Sequence, residues 1–270
     1  MNTTITYSNE NIEFFHSLDS VPNPDKFVMH MHERCEVYFF IKGKCNYNVE
    51  GSSYPLKSGD ILIMRNAESH YPQIDSNYPY ERMSLLFSKD LFSQFDPDNT
   101  LSSPFFQRLA GSNNIYHSQD FISNHHIQIV QNLISIKEPT YLQLSSLLFS
   151  LLYEISTSFQ TRTEYEAIDS LPNQIVNYIN GHLSETLSLD SICQYFFISK
   201  PHLCRIFKEA TGTSIGQYIN AKRILYAKEL IQLGESPTTA STLCGFHDYS
   251  VFYRNYKKRY GYSPSETIYR

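Results

Sequence analysis

Short hydrophobic runs dominate the first third of the chain. The runs, which are rich in aromatic and β-branched residues, are 27–29, 36–41, 45–49, 61–64 and 82–87. Polar stretches with turn-forming residues separate several of them, at 42–44, 50–53 and 57–60. Runs of this length and composition, interrupted by turn signals, predict the strands of a small antiparallel barrel or sandwich.

A helical spacing replaces this pattern after residue 120. Apolar residues recur every three or four positions, first at Ile127, Val130, Leu133 and Ile134 and then at Leu144, Leu147, Leu148, Leu151, Leu152 and Ile155. These stripes predict two amphipathic helices, with Pro139 placed to open the second. A stripe this strong needs a partner, which is either the barrel alone or the barrel together with a second protomer in a two-fold interface.

The last hundred residues predict only helices. Pro172, Ser188 and Ser199 stand where helices begin, and Gly212 and Gly261 stand where helices end. Between and after them the pattern predicts a longer helix at about 214–233 and two shorter ones at about 238–243 and 248–260. The polar stretch 156–169 is the best candidate for a linker between the two parts of the chain.

An internal repeat lies within this helical part. Residues 199–214 match residues 248–263 at a shift of 49 positions, with Arg205 on Arg254, Phe207 on Tyr256, Lys208 on Lys257, Gly212 on Gly261 and Ser214 on Ser263. In each copy a short helix, a tight turn and a helix with basic residues on one face follow in order. This is the layout of a helix-turn-helix, whose second helix enters the major groove of DNA.

Helical periodicity divides each second helix into a core face and an outer face. The core faces hold Leu203, Ile206 and Phe207 in the first copy and Val251, Phe252 and Tyr256 in the second. The candidates for DNA contact are Lys200, Pro201, His202, Arg205 and Lys208, and in the second copy Tyr249, Ser250, Tyr253, Arg254, Lys257 and Lys258. The two matched arginines suit bidentate contacts with guanine, whereas the lysines suit phosphates or are solvated surface residues.

The charge of the chain is segregated. The net charge of -5 argues against a nucleic-acid partner, but residues 171–270 have 11 Lys and Arg against 7 Asp and Glu, a balance of +4 that leaves -9 on the remainder. A basic segment fits phosphate contact. The five cysteines include no close pair and are typical of buried apolar residues. The absence of a long apolar run or a secretory signal predicts a cytoplasmic protein without membrane contact.

The C-terminal part resembles the DNA-binding region of the AraC/XylS family of bacterial regulators. The residues that match are Leu187-Ser188-Leu189, Ile198-Ser199, Leu203, Arg205 to Lys208, Gly212, Arg223, Ala227, Leu230-Ile231, Gly245-Phe246, Asp248, Phe252, Arg254, Lys257, Gly261 and Ser263-Pro264. The resemblance implies two recognition helices, joined by a long rigid helix, that enter successive major grooves about 34 Å apart. It also implies contact with RNA polymerase, most commonly in activation, with repression left open.

The N-terminal part resembles the cupins in the spacing of His30, His32, Glu36 and His70. These four residues are the set that a mononuclear metal cupin uses for iron, manganese or zinc. The match is incomplete, because Arg65, Ala67 and Ile74 replace the usual Pro, Gly and closing Asn of the second motif, and Pro24 stands where the first motif begins with Gly. The candidates for effector contact are His30, His32, Glu36, Tyr38, Tyr47 and His70. We expect no bound cofactor, with a metal ion on the four cupin-like residues as the open alternative.

These observations predict an α+β multidomain protein. Residues 1–90 form a cupin-like antiparallel β-barrel that senses a small-molecule effector, residues 91–165 form a helical segment for dimerisation and coupling, and residues 171–270 form an all-α DNA-binding domain. Its two helix-turn-helix units lie at about 187–212 and 237–261. The predicted function is that of a homodimeric transcription regulator that binds double-stranded DNA and is not an enzyme. The alternatives are a metal-dependent cupin enzyme fused to a DNA-binding module and a DNA-binding protein without an effector.

Overall fold

A computed structural model describes residues 3–162 and 170–269 of the chain. The chain divides into two compact units, Met1–Asp169 and Ser170–Arg270. Residues 91–162 belong to the first unit and pack on its sheet. The predicted linker begins inside a helix, since residues 156–161 are helical, and its remaining part from residue 163 lies outside the described residues.

Among the described residues of the first unit, nine strands form two antiparallel sheets. They are β1 (Thr3–Ser8), β2 (Ile12–Asp19), β3 (Cys35–Lys42), β4 (Cys45–Val49), β5 (Ser52–Pro55), β6 (Ile61–Met64), β7 (His70–Ile74), β8 (Tyr80–Phe87) and β9 (Ile115–Tyr116). The larger sheet has the order β1-β2-β8-β3-β6-β9, and the smaller has the order β5-β4-β7. These sheets confirm the predicted cupin-like antiparallel architecture.

The larger sheet is the middle of three layers. On strand β3 the side chains of Val37 and Phe39 belong to a core shared with the helices, while Tyr38 and Phe40 belong to a core shared with the smaller sheet. Successive residues of a strand point to opposite faces, so a strand buried on both faces is apolar throughout. This explains the unbroken hydrophobic run of β3 and places Glu36 on the same face as Tyr38, towards the smaller sheet.

In the described part of the first unit, four α-helices come after β8, with β9 between the second and the third: α1 (Asp90–Phe95), α2 (Ser103–Phe106), α3 (His125–Ser135) and α4 (Tyr141–Thr161). Thr140, rather than Pro139, caps α4, with its side chain accepting a hydrogen bond from the backbone of Gln143. The apolar stripe of α4 is buried within the protomer, because Leu144, Leu148 and Leu151 lie in the core on the outer face of the larger sheet. Of the two partners expected for this stripe, the intramolecular one is therefore observed.

Two groups of strand predictions differ from the structure. Residues 27–29 are not a strand; they follow a 3₁₀ turn at Pro24–Lys26, where proline fixes the backbone. Conversely, β1, β2, β5, β7 and β9 were not predicted. Strand β7 contains Pro72, which cannot donate to a strand neighbour and masks the strand signal. Strand β1 lies at the edge of the larger sheet and is mostly polar.

A buried ion pair supports the residues next to His70. The guanidinium of Arg108 donates to both carboxylate oxygens of Glu68, each at 2.7 Å, and both side chains are almost completely buried. Burial alone would raise the pKa of Glu68, but the charge and hydrogen bonds of Arg108 outweigh it and lower that pKa to about 2. The backbone carbonyl of Glu68 also accepts a hydrogen bond from His70 Nδ1 at 2.9 Å. The pair thus fixes the segment that positions His70.

The second unit consists of six helices joined by short turns, among the residues described. They are α5 (Leu171–Gly181), α6 (Leu189–Phe196), α7 (Lys200–Thr211), α8 (Ile215–Gln232), α9 (Pro237–Leu243) and α10 (Tyr249–Tyr260). Ser188 caps α6 and Ser214 caps α8, and each side-chain oxygen accepts a hydrogen bond from the backbone N–H three residues later. Helix α8 packs against α7, α9 and α10. The second unit therefore confirms the predicted all-α domain.

The Glu68→Gln substitution should destabilise the protein because it leaves the charge of Arg108 buried without a counter-charge. We expect a loss of about 3–5 kcal/mol in the free energy of unfolding at neutral pH. Glu68 has a folded-state pKa below its ordinary 4.5, so its contribution is present above that value and is lost as the pH falls towards 2. Urea unfolding at several pH values should show that the difference in the free energy of unfolding between wild type and variant becomes smaller as the pH falls from 4.5 towards 2. The exposed Glu138→Gln is the control, and an equal effect there would contradict the account.

Gly245→Ala should destabilise the second unit much more than Gly261→Ala. Both glycines have positive φ angles, +82° and +80°, at which a side chain is strained by about 1–2 kcal/mol. At Gly245 an added Cβ would also lie 2.5 Å from the carbonyl oxygen of Leu183, whereas at Gly261 nothing lies within 4 Å. We expect losses of at least about 3 kcal/mol and of about 1 kcal/mol respectively. Urea unfolding followed by circular dichroism measures both, and equal losses would refute the contact at Gly245.

Candidate functional sites in the two units

Helices α7 and α10 are two copies of one structural element. Each has 12 residues and begins directly after a capping position in extended conformation, at Ser199 and Asp248. Each ends at a left-handed glycine, Gly212 with φ of +73° and Gly261 with φ of +80°. Glycine adopts this conformation without the steric cost that other residues incur. The internal repeat of the sequence is thus also a repeat of helix length and helix ends.

The two helices bury the residues that periodicity assigned to the core. Leu203, Phe207, Phe252 and Tyr256 are fully buried, and the two flanking aliphatic residues of the predicted core faces are half-buried. The predicted DNA-contact residues that are exposed are Lys200, Pro201, Arg205, Lys208, Tyr249, Ser250, Tyr253, Arg254, Lys257 and Lys258. His202 is half-buried. The structure brings these residues to the outer faces of α7 and α10.

The two matched arginines differ in their intramolecular partners. Arg205 lies 3.2 Å from Glu209 on the next turn of α7 and 3.3 Å from the ring of His202. Arg254 has no carboxylate partner within the described part of the chain. Lys200 is paired with Asp190 of α6 at 2.7 Å, and this contact raises the pKa of the lysine. Both ion pairs are exposed, and solvent screening makes exposed ion pairs weak.

Arg223 of α8 has a structural role that the sequence analysis did not predict. Its guanidinium donates to the carbonyl oxygens of Leu183 at 2.8 Å and Glu185 at 2.7 Å, in the loop before α6. It also lies against Gly245, where a Cβ would be 2.8 Å from the guanidinium. The residue thus connects α8 to the loop before α6 and to the turn after α9. No spacing in the sequence signals this role, because its partners are backbone atoms.

Four residues converge in the first unit. His30 and His32 lie in the segment before β3, Glu36 lies on β3 and His70 begins β7. One side-chain ligand atom from each lies within 4.8 Å of those of the others. The backbones of His30 and His70 exchange two hydrogen bonds, of 3.1 and 3.0 Å, that hold these histidines side by side. The structure therefore brings together the four residues whose spacing resembles that of the cupins.

The charges within this cluster are coupled. Burial alone would raise the pKa of Glu36, but its contacts with His32 and His70 hold it well below the ordinary value. Burial likewise favours neutral His70, but the carboxylate of Glu36 outweighs it and raises the pKa of His70. For His30, desolvation of the ring and then the neighbouring His70 lower the pKa to about 4. The cluster thus combines an ionised Glu36 carboxylate with two imidazole rings that differ: the protonated form is favoured at His70 and the neutral form at His30.

The two predicted effector-contact tyrosines lie deeper in the first unit. Tyr38 and Tyr47 are almost fully buried between the two sheets, with ring centroids 4.7 Å apart. The hydroxyl of Tyr38 is 2.6 Å from that of Tyr80, and the ring of Tyr47 stacks beside His70 at 6.2 Å. These rings fill the space between the sheets beneath the four-residue cluster. Their contact with an effector stays a prediction.

None of the helices within the described residues combines the length and hydropathy that a membrane crossing requires. The described residues also contain no second cluster of three or more side chains suited to a metal ion.

Comparison with known proteins connects both units to one family. Residues 22–152 match the model of an AraC-like ligand binding domain, and residues 192–270 match that of a helix-turn-helix domain. The Msm operon regulatory protein of Streptococcus mutans is 23% identical over 234 residues, which cover 85% of this chain and 82% of that protein. The HTH-type transcriptional activator RhaS of Escherichia fergusonii is 24% identical over 249 residues, covering 89% of this chain and 87% of the relative.

One similar solved structure is that of ToxT from Vibrio cholerae with bound unsaturated fatty acid. Its sequence is 14% identical, the match covers 98% of this chain and 97% of the ToxT chain, and the TM-score is 0.41. That similarity is too low to transfer structural detail. The two family models and the relatives matched over most of their length agree with the repeated recognition helices and the two-sheet unit described above. This chain belongs to the AraC family of transcription regulators.

Proposed function

We propose that this protein is an effector-responsive transcription activator that inserts α7 and α10 into successive major grooves of one DNA site. The observation that supports this most directly is the pair of equal helices with Arg205 and Arg254 at the same position. Both arginines are exposed, and the segment that contains them has a positive charge balance although the chain as a whole is acidic. A site for such a protein contains two contacted boxes about one helical turn apart.

The exposed side chains divide into two classes of contact. A guanidinium can donate two hydrogen bonds to one guanine, which contributes about 1–3 kcal/mol of discrimination between bases. A lysine ammonium instead acts as a point charge near phosphates and adds affinity without sequence preference. We assign Arg205 and Arg254 to bases and Lys208, Lys257 and Lys258 to phosphates. Tyr249, Ser250 and Tyr253 adjoin the base-contacting turn of α10.

Activation and effector binding are proposed from the relatives and from the first unit. RhaS is named as a transcriptional activator, and residues 22–152 match an AraC-like ligand binding domain. In this proposal the effector binds at His30, His32, Glu36 and His70, changes how the DNA-binding units are presented and allows contact with RNA polymerase. A coupling of about 1–3 kcal/mol between effector and DNA is sufficient for such control.

The proposed assembly is a homodimer. The stripe of α4 that faces the sheet is internal, so a two-fold contact would use its outer side, where Leu142 and Tyr153 are exposed. These two residues lie on one face of the helix, because their spacing of 11 is three turns. Self-complementary contact of this face with its copy is the simplest closed arrangement.

The alternative is a metal-dependent enzyme fused to a DNA-binding module. The convergence of three histidines and a glutamate favours it, while the curated relatives are regulators. We therefore propose that the first unit binds a ligand without turning it over. Incubation of the purified protein with its identified effector should return the effector chemically unchanged, and the appearance of a product would favour the enzyme.

Arg254→Ala and Lys257→Ala should change DNA binding in different ways. A site is first identified by selecting genomic fragments that bind the purified protein. Arg254→Ala should cost about 1–3 kcal/mol and abolish the preference at one base pair. Lys257→Ala should weaken binding to all sequences alike and lower the salt dependence by about one phosphate contact.

The measurement is a titration of DNA variants at several salt concentrations. Lys137→Ala, an exposed lysine of the first unit, is the control and should leave both properties unchanged. The assignment of α10 to the groove is incorrect if Arg254→Ala and Lys257→Ala both bind the selected site like the wild type.

Glu209→Gln should strengthen DNA binding. The carboxylate of Glu209 holds Arg205 at 3.2 Å and adds a negative charge near the phosphates. Its neutralisation releases the guanidinium, so we expect affinity to rise several-fold at low salt. When Glu209→Gln is introduced into an Arg205→Ala variant, most of this gain in affinity should be absent. An affinity that falls, or a gain of the same size without Arg205, would argue against the proposed contact.

A further inference from the structure

We propose that the second unit contains a binding site for a small amphipathic monocarboxylate. The site is a cavity of about 440 Å³ between the end of α5, one face of α8 and the end of α9. Pockets for small ligands in proteins have volumes of about 300–1,000 Å³. The effector contacts proposed above all lie in the first unit. The cavity is therefore a second ligand site, separate from them and located in the DNA-binding unit.

Helix α8 gives the cavity a wall that changes from basic to apolar. Arg223, Tyr226, Leu230 and Leu233 all line the cavity, and their spacings of three, four and three residues place them on one face of the helix. At about 1.5 Å per residue, this face extends about 15 Å from the arginine to Leu233, which directly follows α8. A ligand that lies along it meets a cation at one end and apolar side chains at the other.

The apolar end of the cavity exposes leucine side chains to water. Leu233 and Leu243 are 77% and 52% exposed, and Tyr226 is also exposed. Exposed apolar side chains that converge at one concave place mark ligand sites more often than scattered ones do. A ligand with an aromatic or branched body would remove this surface from water and could stack on the tyrosine ring.

The charge of Arg223 is held in place without a counter-charge. Its Nε and Nη2 donate to the carbonyl oxygens of Leu183 and Glu185, and its Nη1 makes no hydrogen bond within the described residues. Partial burial lowers the pKa of this guanidinium, and no carboxylate of the described chain pairs with it to offset the burial. A ligand carboxylate would supply the missing charge and accept a charge-assisted hydrogen bond from Nη1.

The other polar groups of the lining limit the ligand further. The Cys244 thiol cannot neutralise Arg223, because burial raises its pKa to about 11. Ser184 is exposed and directly follows the Leu183 carbonyl that holds the guanidinium, so it adds a hydroxyl donor at the basic end. Glu229 borders the cavity about 9 Å further along α8 than Arg223. Its carboxylate would repel a second anionic group, so the ligand is a monoanion.

The test uses naphthalene-2-carboxylate as the probe, because it has one carboxylate and a compact aromatic body. The chain contains no tryptophan, so the fluorescence of the probe can be followed with little interference from the protein. The full-length protein should bind it with a dissociation constant of about 1 mM or tighter. The uncharged naphthalene-2-carboxamide should bind about tenfold more weakly, because it cannot neutralise Arg223.

Gly181→Leu and Gly216→Leu are matched variants for locating the probe. Both glycines are helical, and an added Cβ meets nothing within 4 Å at either position. Gly181 lines the cavity, whereas Gly216 lies in the first turn of α8 and outside the lining. Gly181→Leu should weaken binding of the probe about tenfold by narrowing the cavity. Gly216→Leu should bind it like the wild type.

Arg223→Gln should bind the carboxylate and the carboxamide with equal affinity, and circular dichroism verifies that this variant is folded. The comparison of the two glycine variants keeps the test decisive if it is not. Wild-type protein that binds the carboxylate no better than the carboxamide, or does not bind it at about 1 mM, would overturn the proposal. Binding that is unchanged in Gly181→Leu would locate the probe outside this cavity and would also overturn it.

Discussion

The packing of helix α8 against its neighbours is the constraint on which DNA recognition by this chain depends. The helix has 18 residues and is therefore about 27 Å long. It contacts α7 near its beginning and shares a buried core with α9 and α10 through Ile224, Ala227 and Ile231. Arg223 adds hydrogen bonds from the same helix to the backbone before α6. The packing thus fixes the distance between the two recognition helices α7 and α10. Binding to successive grooves requires such a fixed distance.

The first unit combines a rigid interior with one polar end. Its middle sheet is buried on both faces, and the space between the sheets is filled by aromatic rings such as Tyr38, Tyr47 and Tyr80. Polar side chains collect where β3 and β7 begin, next to the buried pair of Glu68 and Arg108. A ligand at this end contacts groups held by several backbone segments at once. Such preorganised groups are suited to sense a ligand, because little reorganisation accompanies binding.

The sequence predicted the second unit closely because its signals are local. Ser188 and Ser214 at helix starts, and Gly212 and Gly261 at helix ends, act through neighbouring backbone groups, and the internal repeat shows the helix-ending glycine twice. The four cupin-like residues were found through the resemblance of their spacing to that of the cupins. The sequence did not reveal strand β7, where Pro72 interrupts the pattern, or the partnership of Glu68 with Arg108, which are 40 residues apart. It likewise could not show that Nδ1 of His70 donates to the carbonyl oxygen of Glu68, because that partner is a backbone atom.

The account depends most on two recognition helices that contact one DNA duplex together. Hydroxyl-radical footprinting of the full-length protein on a selected genomic site tests this directly. The account predicts two protected patches on one face of the duplex, about one helical turn apart. A single protected patch, patches on opposite faces, or no protection at low ionic strength would contradict it.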